Sequence, residues 1–156
     1  MAATHNLTPT ISITDFPSAA NSTAQADRGT PDIVIQQHVA FYRQNGVVAA
    51  DAGEVIWIAK KAGTIEAAQA VLAVAPTGTH DVSIEILKGN AGGAYTSILS
   101  SPILFDTGVD RTPLAATLAV TSYLEADSFQ VVVTIPTSNA DGTDLLVMLW
   151  LREQPS

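Results

Sequence analysis

The stretch from residue 62 to residue 108, AGTIEAAQAVLAVAPTGTHDVSIEILKGNAGGAYTSILSSPILFDTG, constrains the fold more than any other. Apolar runs of strand length alternate in it with turn chemistry. Pro76-Thr77-Gly78-Thr79 follows the first run, Gly89-Asn90-Ala91-Gly92-Gly93 the second, and Asp106-Thr107-Gly108 closes the third. Within the second run Val82, Ile84 and Ile86 alternate with Asp81, Ser83 and Glu85. Period-two alternation gives a strand one buried and one wet face, and short turns join antiparallel neighbours. The stretch therefore reads as part of an antiparallel β-sandwich.

The remainder of the chain extends that reading. Residues 53–61, GEVIWIAKK, form a compact strand with Val55 and Trp57 on the side opposite Ile56 and Ile58. Residues 32–43, DIVIQQHVAFYR, place Ile33, Ile35, Gln37, Val39 and Phe41 on one side, with Gln37 as the polar exception. Residues 64–75 are rich in alanine, a helix former, but the turn signals on both sides favour a strand. Ser101-Pro102 interrupts a strand pair, as expected of a kinked edge or bulge. Residues 113–124 are ambiguous, and a short helix fits them. Residues 128–135, SFQVVVTI, and 143–152, TDLLVMLWLR, are strands. The last is apolar on both faces, which predicts a central strand covered on both sides. About eight strands at regular spacing predict an all-β, antiparallel two-sheet sandwich of jelly-roll type, spanning residues 33–156.

Residues 1–32 read differently. Pro9, Pro17 and Pro31 break any helix, and only Ile11-Ser12-Ile13-Thr14 is strand-like. This segment is expected to be an extended N-terminal arm that lies on a neighbouring subunit, where ISITDF adds a strand to a sheet edge. It has no basic n-region and no sustained apolar core, so it is not read as a signal peptide.

Of the 156 residues, 47% are apolar and 14% charged, with a net charge of −8 and no cysteine. Such a chain can bury a sizeable core, and its charge-poor surface suits packing against other subunits. The absence of a basic stripe argues against nucleic-acid binding, and no run approaches membrane-span length. Without cysteine neither a disulfide framework nor a thiolate metal site can form.

Catalytic chemistry is sparse. His5, His38 and His80 are scattered, with neither a G-x-S-x-G elbow nor an H-E-x-x-H pair. Residues 139–144, NADGTD, resemble an acidic calcium loop but lack the terminal bidentate glutamate, and they equally suit a hairpin turn. Asp106 and Asp110 are the strongest carboxylate pair for a glycosidase, yet they sit in a turn-rich DTGVDRTP segment beside Arg111. GNAGG has no following Lys-Ser/Thr, so it is a hairpin tip and not a phosphate loop. Trp57 and Trp150 read as core or interface anchors, and Tyr95 and Tyr123, placed near loops, are the residues that would stack on sugar. No catalytic, cofactor-binding or metal-binding residue is assigned, no cofactor is expected, and the chain is read as a non-enzyme.

The serial pattern AGTIEAAQAVLAVAPTGTHDVSIEILKG, TSILSSPILFDTG, LEADSFQVVVTI and GTDLLVMLWLRE, from about Glu54 onward, resembles small β-sandwich proteins of tailed-bacteriophage virions. Head decoration (cement) proteins and distal modules of tail fibres have segments of this shape. Ala126-Asp127 departs from the commoner Gly-Asp turn. The resemblance implies a jelly-roll homotrimer that binds the major capsid protein on the outer capsid surface and stabilises the shell, assembled in the host bacterial cytoplasm. The alternative it leaves open is a tail-fibre or receptor-binding module that recognises host surface carbohydrate. If residues 1–32 serve assembly and not the core, their deletion leaves a cooperatively melting β protein by circular dichroism, with weaker binding to neighbours or particles.

Overall fold

The computed structural model describes residues 36–77, 82–90, 93–106, 108–109, 111–135 and 142–154. The arm expected over residues 1–32 lies outside the described residues. The described chain forms ten strands: β1 (Gln36–Val47), β2 (Asp51–Ile58), β3 (Gly63–Val74), β4 (Val82–Gly89), β5 (Thr96–Ser97), β6 (Ile103–Phe105), β7 (Leu114–Ala115), β8 (Ser122–Tyr123), β9 (Ser128–Thr134) and β10 (Thr143–Glu153). There is no helix among the described residues.

These strands make two antiparallel sheets. Sheet A runs β1-β10-β3-β7, with β8 also on β3, and sheet B runs β2-β9-β4-β5, with β6 also on β4. Both pairs of short strands are pieces of one broken edge. Leu114 and Ala115 pair Ala70 and Gln69 near the middle of β3, while Ser122 and Tyr123 pair Thr64 and Gly63 at its start. In the same way Thr96-Ser97 and residues 103–105 pair successive parts of β4, with Pro102 at the break. Counting each broken edge once, the sheets have four strand positions each, and the chain crosses repeatedly between them. This is the two-sheet Greek-key order of a jelly roll.

Alternation builds the core. Leu145, Val147, Leu149 and Leu151 of β10 point inward, as do Ala68, Ala70 and Leu72 of β3. Sheet B answers with Val82, Ile84 and Ile86, and with Phe129, Val131 and Val133, all buried. The small Ala68 and Ala70 of β3 lie among larger buried side chains from both sheets.

The structure settles two readings the sequence left open and corrects a third. Residues 113–124 form no helix but the edge strands β7 and β8, because their backbone groups find partners along β3 and Ala116 N donates to Ala68 O at 2.9 Å. In β1 the apolar side read from the sequence faces outward. Val39 is 49% and Phe41 65% exposed, while Ala40 and Tyr42 on the opposite side are buried. β10 is central, as expected, but only its inner face is covered among the described residues. Leu146, Met148 and Trp150 on the outer face remain half-buried.

The Ala126-Asp127 turn has a physical account. Ala126 adopts φ 68, in the left-handed region that favours glycine. It is held there by Ala126 N donating to Ala59 O at 2.9 Å and Ala59 N donating to Asp127 O at 2.8 Å. Asp127 closes the turn by accepting from Leu124 N at 2.9 Å, and it lies 3.4 Å from Lys88 Nζ. Ala126→Gly is expected to raise stability by about 1 kcal/mol in urea denaturation, because it removes the left-handed strain. Gly63→Ala is expected to lower stability, since its Cβ would collide with the Arg152 carbonyl oxygen and the Tyr123 hydroxyl.

Candidate interaction surface

The outer faces of the two sheets differ in chemistry. On sheet B the outer rows, Leu104–Ser83–Thr134, Glu85–Val132 and Leu87–Gln130–Val55, alternate polar and apolar side chains, with Val55 and Leu104 exposed. On sheet A the cross-strand rows are Val39–Trp150–Ala67, Phe41–Met148–Gln69 and Arg43–Leu146–Val71. These rows place aromatic, methionine and branched side chains side by side on one level face. Strand spacing and rise give the face an area of about 300 Å². That is the size of the largest apolar patch on a typical monomer, which is often a functional one.

The rim is polar. At one end Arg152 pairs with Glu66 at 2.8 Å, and Thr64 Oγ1 donates to Glu66 Oε1 at 3.0 Å. A β-bulge between Trp150 and Leu151 pairs them with Ala67 and Ile65, so Glu66 is the extra residue. The bulge opens a hollow of about 290 Å³ lined by Gln37, Glu66, Ala67, Gln69, Trp150 and Leu151. At the other end stands Arg43, which makes no ion pair among the described residues. An apolar centre of aromatic and methionine side chains with arginine at its rim is the composition of protein–protein interfaces.

The residues singled out for chemistry are not brought together. His38 faces inward, its ring 4.8 Å from that of Trp57, and its Nε2 lies 3.7 Å from Glu153 Oε2. His38 Nε2, Trp57 Nε1 and Tyr123 OH are buried without a hydrogen-bond partner. Tyr123 is not a loop platform for sugar. It is 2% exposed and packs edge-on against Phe129 at 5.6 Å, because β8 turns it into the core. Tyr95 OH shares a 2.7 Å hydrogen bond with Ser128 Oγ. Asp106 is exposed at the end of β6, whereas its suggested partner Asp110 lies outside the described residues, as do His5 and His80. Of the NADGTD loop, residues 142–144 are described, and there Asp144 Oδ1 accepts from Gly46 N at 2.8 Å, which ties the start of β10 to the end of β1. No group of three or more His, Cys, Asp or Glu side chains suited to a metal ion occurs among the described residues. Trp57 thus anchors the core side, and Trp150 the outer face.

One polar network was missed by sequence reasoning. Tyr42 OH donates to Asp51 Oδ2 at 2.7 Å, Gly53 N donates to Asp51 Oδ1 at 2.9 Å, and Gln44 Nε2 donates to Tyr42 OH. Gln44 also brackets Ala49, accepting from its N–H at 2.8 Å and donating to its carbonyl at 3.0 Å. This network staples β1 to β2, across the two sheets. The period-two Tyr42/Gln44 pair was its only signal.

Comparison with known proteins enters at this point. No protein-family model matches the chain, and no curated protein matches its sequence. Among solved structures, a chain of the capsid of Ralstonia phage GP4 is similar, with a TM-score of 0.52 and 18% identity over 81% of this chain and 90% of that one. A chain of the cyanophage Pam1 capsid asymmetric unit is similar at a TM-score of 0.50 and 10% identity, over 76% of this chain and 84% of that one. A chain from Bacillus endospore appendages, at a TM-score of 0.38 and 14% identity, is more distant. At these identities the likeness is one of fold: the all-β two-sheet architecture is shared with chains of two phage capsids.

Burial, and then the hydrogen bond to Asp51, push the Tyr42 hydroxyl up to about 12. Burial, and then the Glu153 charge, do the same to Tyr123. Each folded value lies above the unfolded one near 10, so the stability these groups contribute is present below pH 10 and is lost as pH rises through about 12. Denaturant midpoints are expected to fall across that window, and Tyr42→Phe is expected to reduce the fall. Asp51 is held below the usual carboxylate range by the Gly53 N–H and then by Tyr42, so its contribution is lost at the acid end.

Proposed function

We propose that this chain is a structural protein of a phage virion, a decoration (cement) protein that binds the outer surface of the capsid and stabilises the shell. Its partners are the major capsid protein and further copies of itself, in a homotrimer assembled in the host bacterial cytoplasm. The observation that carries this reading is the apolar outer face of β1, β10 and β3, on a fold shared with chains of two phage capsids. The function is binding and not catalysis: the interior is filled with side chains, and the exposed chemistry is that of an interface.

The magnitudes favour a multivalent binder. About 300 Å² of surface at 25 cal/mol per Å² contributes about 7 kcal/mol gross. The cost of association is of the same size, about 4–15 kcal/mol, so one copy alone binds weakly. Three copies on one axis convert the second and third contacts into intramolecular ones. A ligand that binds only the assembled shell then stabilises it by mass action, about 2.7 kcal/mol at a hundredfold excess over Kd. The alternative, a fibre module that reads host carbohydrate, needs exposed aromatic platforms. Of its two candidate tyrosines, Tyr123 is buried.

The test mixes purified protein with undecorated particles and measures bound copies and the particles' resistance to heat. Saturable binding with raised resistance is expected. Phe41→Glu combined with Val39→Glu is expected to weaken that binding at least roughly tenfold while the free protein's melting is unchanged, because both side chains are exposed. Thr134→Glu, on the outer face of sheet B, is expected to leave binding intact. Binding to cells or glycans with none to particles would move the assignment to a fibre.

A further inference from the structure

Sheet A ends in an edge that no described residue pairs with. β1 is hydrogen-bonded to β10 alone, and their register runs unbroken from Gln36 to Gln44. A long, straight edge strand is a template for another strand, and proteins blunt such edges with prolines, charges, bulges or short strands. The other edges here are blunted. β2 has two register shifts and carries Asp51 and Glu54, while β5 to β8 are pieces of two or three residues. β1 has no proline, lysine or carboxylate, and its outward side chains include Val39 and Phe41.

We propose that this edge takes, as an added parallel strand, residues 11–16 (Ile-Ser-Ile-Thr-Asp-Phe) of a second copy of this chain. The inference deepens the self-assembly in the proposed function and rests on it. Residues 1–35 lie ahead of β1, and 11–16 is their strand-like run. In the parallel register Ile11, Ile13 and Asp15 extend the outer-face rows of Val39, Phe41 and Arg43. Two apolar neighbours are matched, and the rim arginine gains a carboxylate. The antiparallel register that keeps both isoleucines beside Phe41 and Val39 sets Pro9 against Arg43 and Asp15 against Gln37, which loses the charge pair and puts a proline in the ladder.

The 19 residues from 17 to 35 are long enough for the crossover a parallel strand needs, so the choice of a second copy over the strand's own chain rests on the self-assembly of the proposed function. Residues 17–35 span up to roughly 60 Å when extended, against about 40 Å for the length of β1, so a neighbour is within reach. The area argues the same way. About 300 Å² is less than half of the roughly 800 Å² per partner of a standard interface, and an added strand supplies ladder hydrogen bonds and further apolar cover. Contact between an arm and an edge closes either as a reciprocal exchange about a two-fold axis or as a ring. A ring of three is the closed form that matches the homotrimer of the proposed function.

The absence of cysteine gives the test a clean background. Full-length Ile13→Cys and Phe41→Cys proteins are prepared separately, mixed and oxidised without any capsid particle. Disulfide-linked heterodimers are expected, forming roughly tenfold or more faster than with Gln154→Cys, off the edge, in place of Phe41→Cys. The double variant is expected to give covalent multimers up to the size of the ring. Only intramolecular disulfides in the double variant, Phe41→Cys homodimers as the main product, or no cross-link would each overturn the proposal. The first would mean a strand folded back on its own chain, the second edge-to-edge pairing of two β1 strands. Because no particle is present, failure here leaves the capsid-binding reading standing, and failure of particle binding leaves the cross-link result standing.

Discussion

The pleat of β10 is the constraint on which the rest of the molecule depends. Side chains alternate across a strand, so Leu145, Val147, Leu149 and Leu151 go to one face and Leu146, Met148 and Trp150 to the other. The first set is completely buried and holds the sandwich together. The second set has no second layer above it among the described residues. β10 lies between β1 and β3, with almost every residue in register with both, so its pleat orients its neighbours as well. A stable core and an apolar outer face are consequences of the same strand.

Polar groups inside the sandwich serve position and not reaction. Asp51 ties Tyr42 and the β2 backbone together, and Asp127 fixes the Ala126 turn while Lys88 balances its charge. Burying Asp127 is tolerable because it accepts a hydrogen bond from Leu124 N and lies beside Lys88. Glu153, close to His38, is placed similarly at the far end of β10. These links join strands that belong to different sheets or are remote in sequence.

Much of the fold was legible from the chain. Val82, Ile84 and Ile86 announced a half-buried strand, and their inward burial follows from it. The turn signals around residues 64–75 outweighed alanine propensity, and β3 formed because β10 offered it a partner. The break at Pro102 also fell where expected. Residues 113–124 were not legible, because two-residue strands carry no periodicity and exist only through the edge of β3. Nor was the location of Tyr123, whose neighbours Ser122 and Leu124 look like loop while its ring packs on Phe129. The candidate surface was half visible. Its residues were noted as apolar, but Val39 and Phe41 were assigned to a single apolar side without a direction.

By itself the sequence determined the class, the approximate strands and the centrality of the last one, because period-two patterning and turn residues are local and physical. It also excluded thiolate and disulfide chemistry through the absence of cysteine. Only the tertiary structure decided which side of each strand is inside. In β1 the two sides compete: Val39 and Phe41 are the more apolar, yet Ala40 and Tyr42 are buried. The winner was set by the space between the sheets and by the Tyr42–Asp51 bond, neither of which exists until β1 and β2 face each other. Hydrophobicity reports how favourable burial is, whereas packing determines what can be buried, and the apolar residues left outside by that decision became the surface.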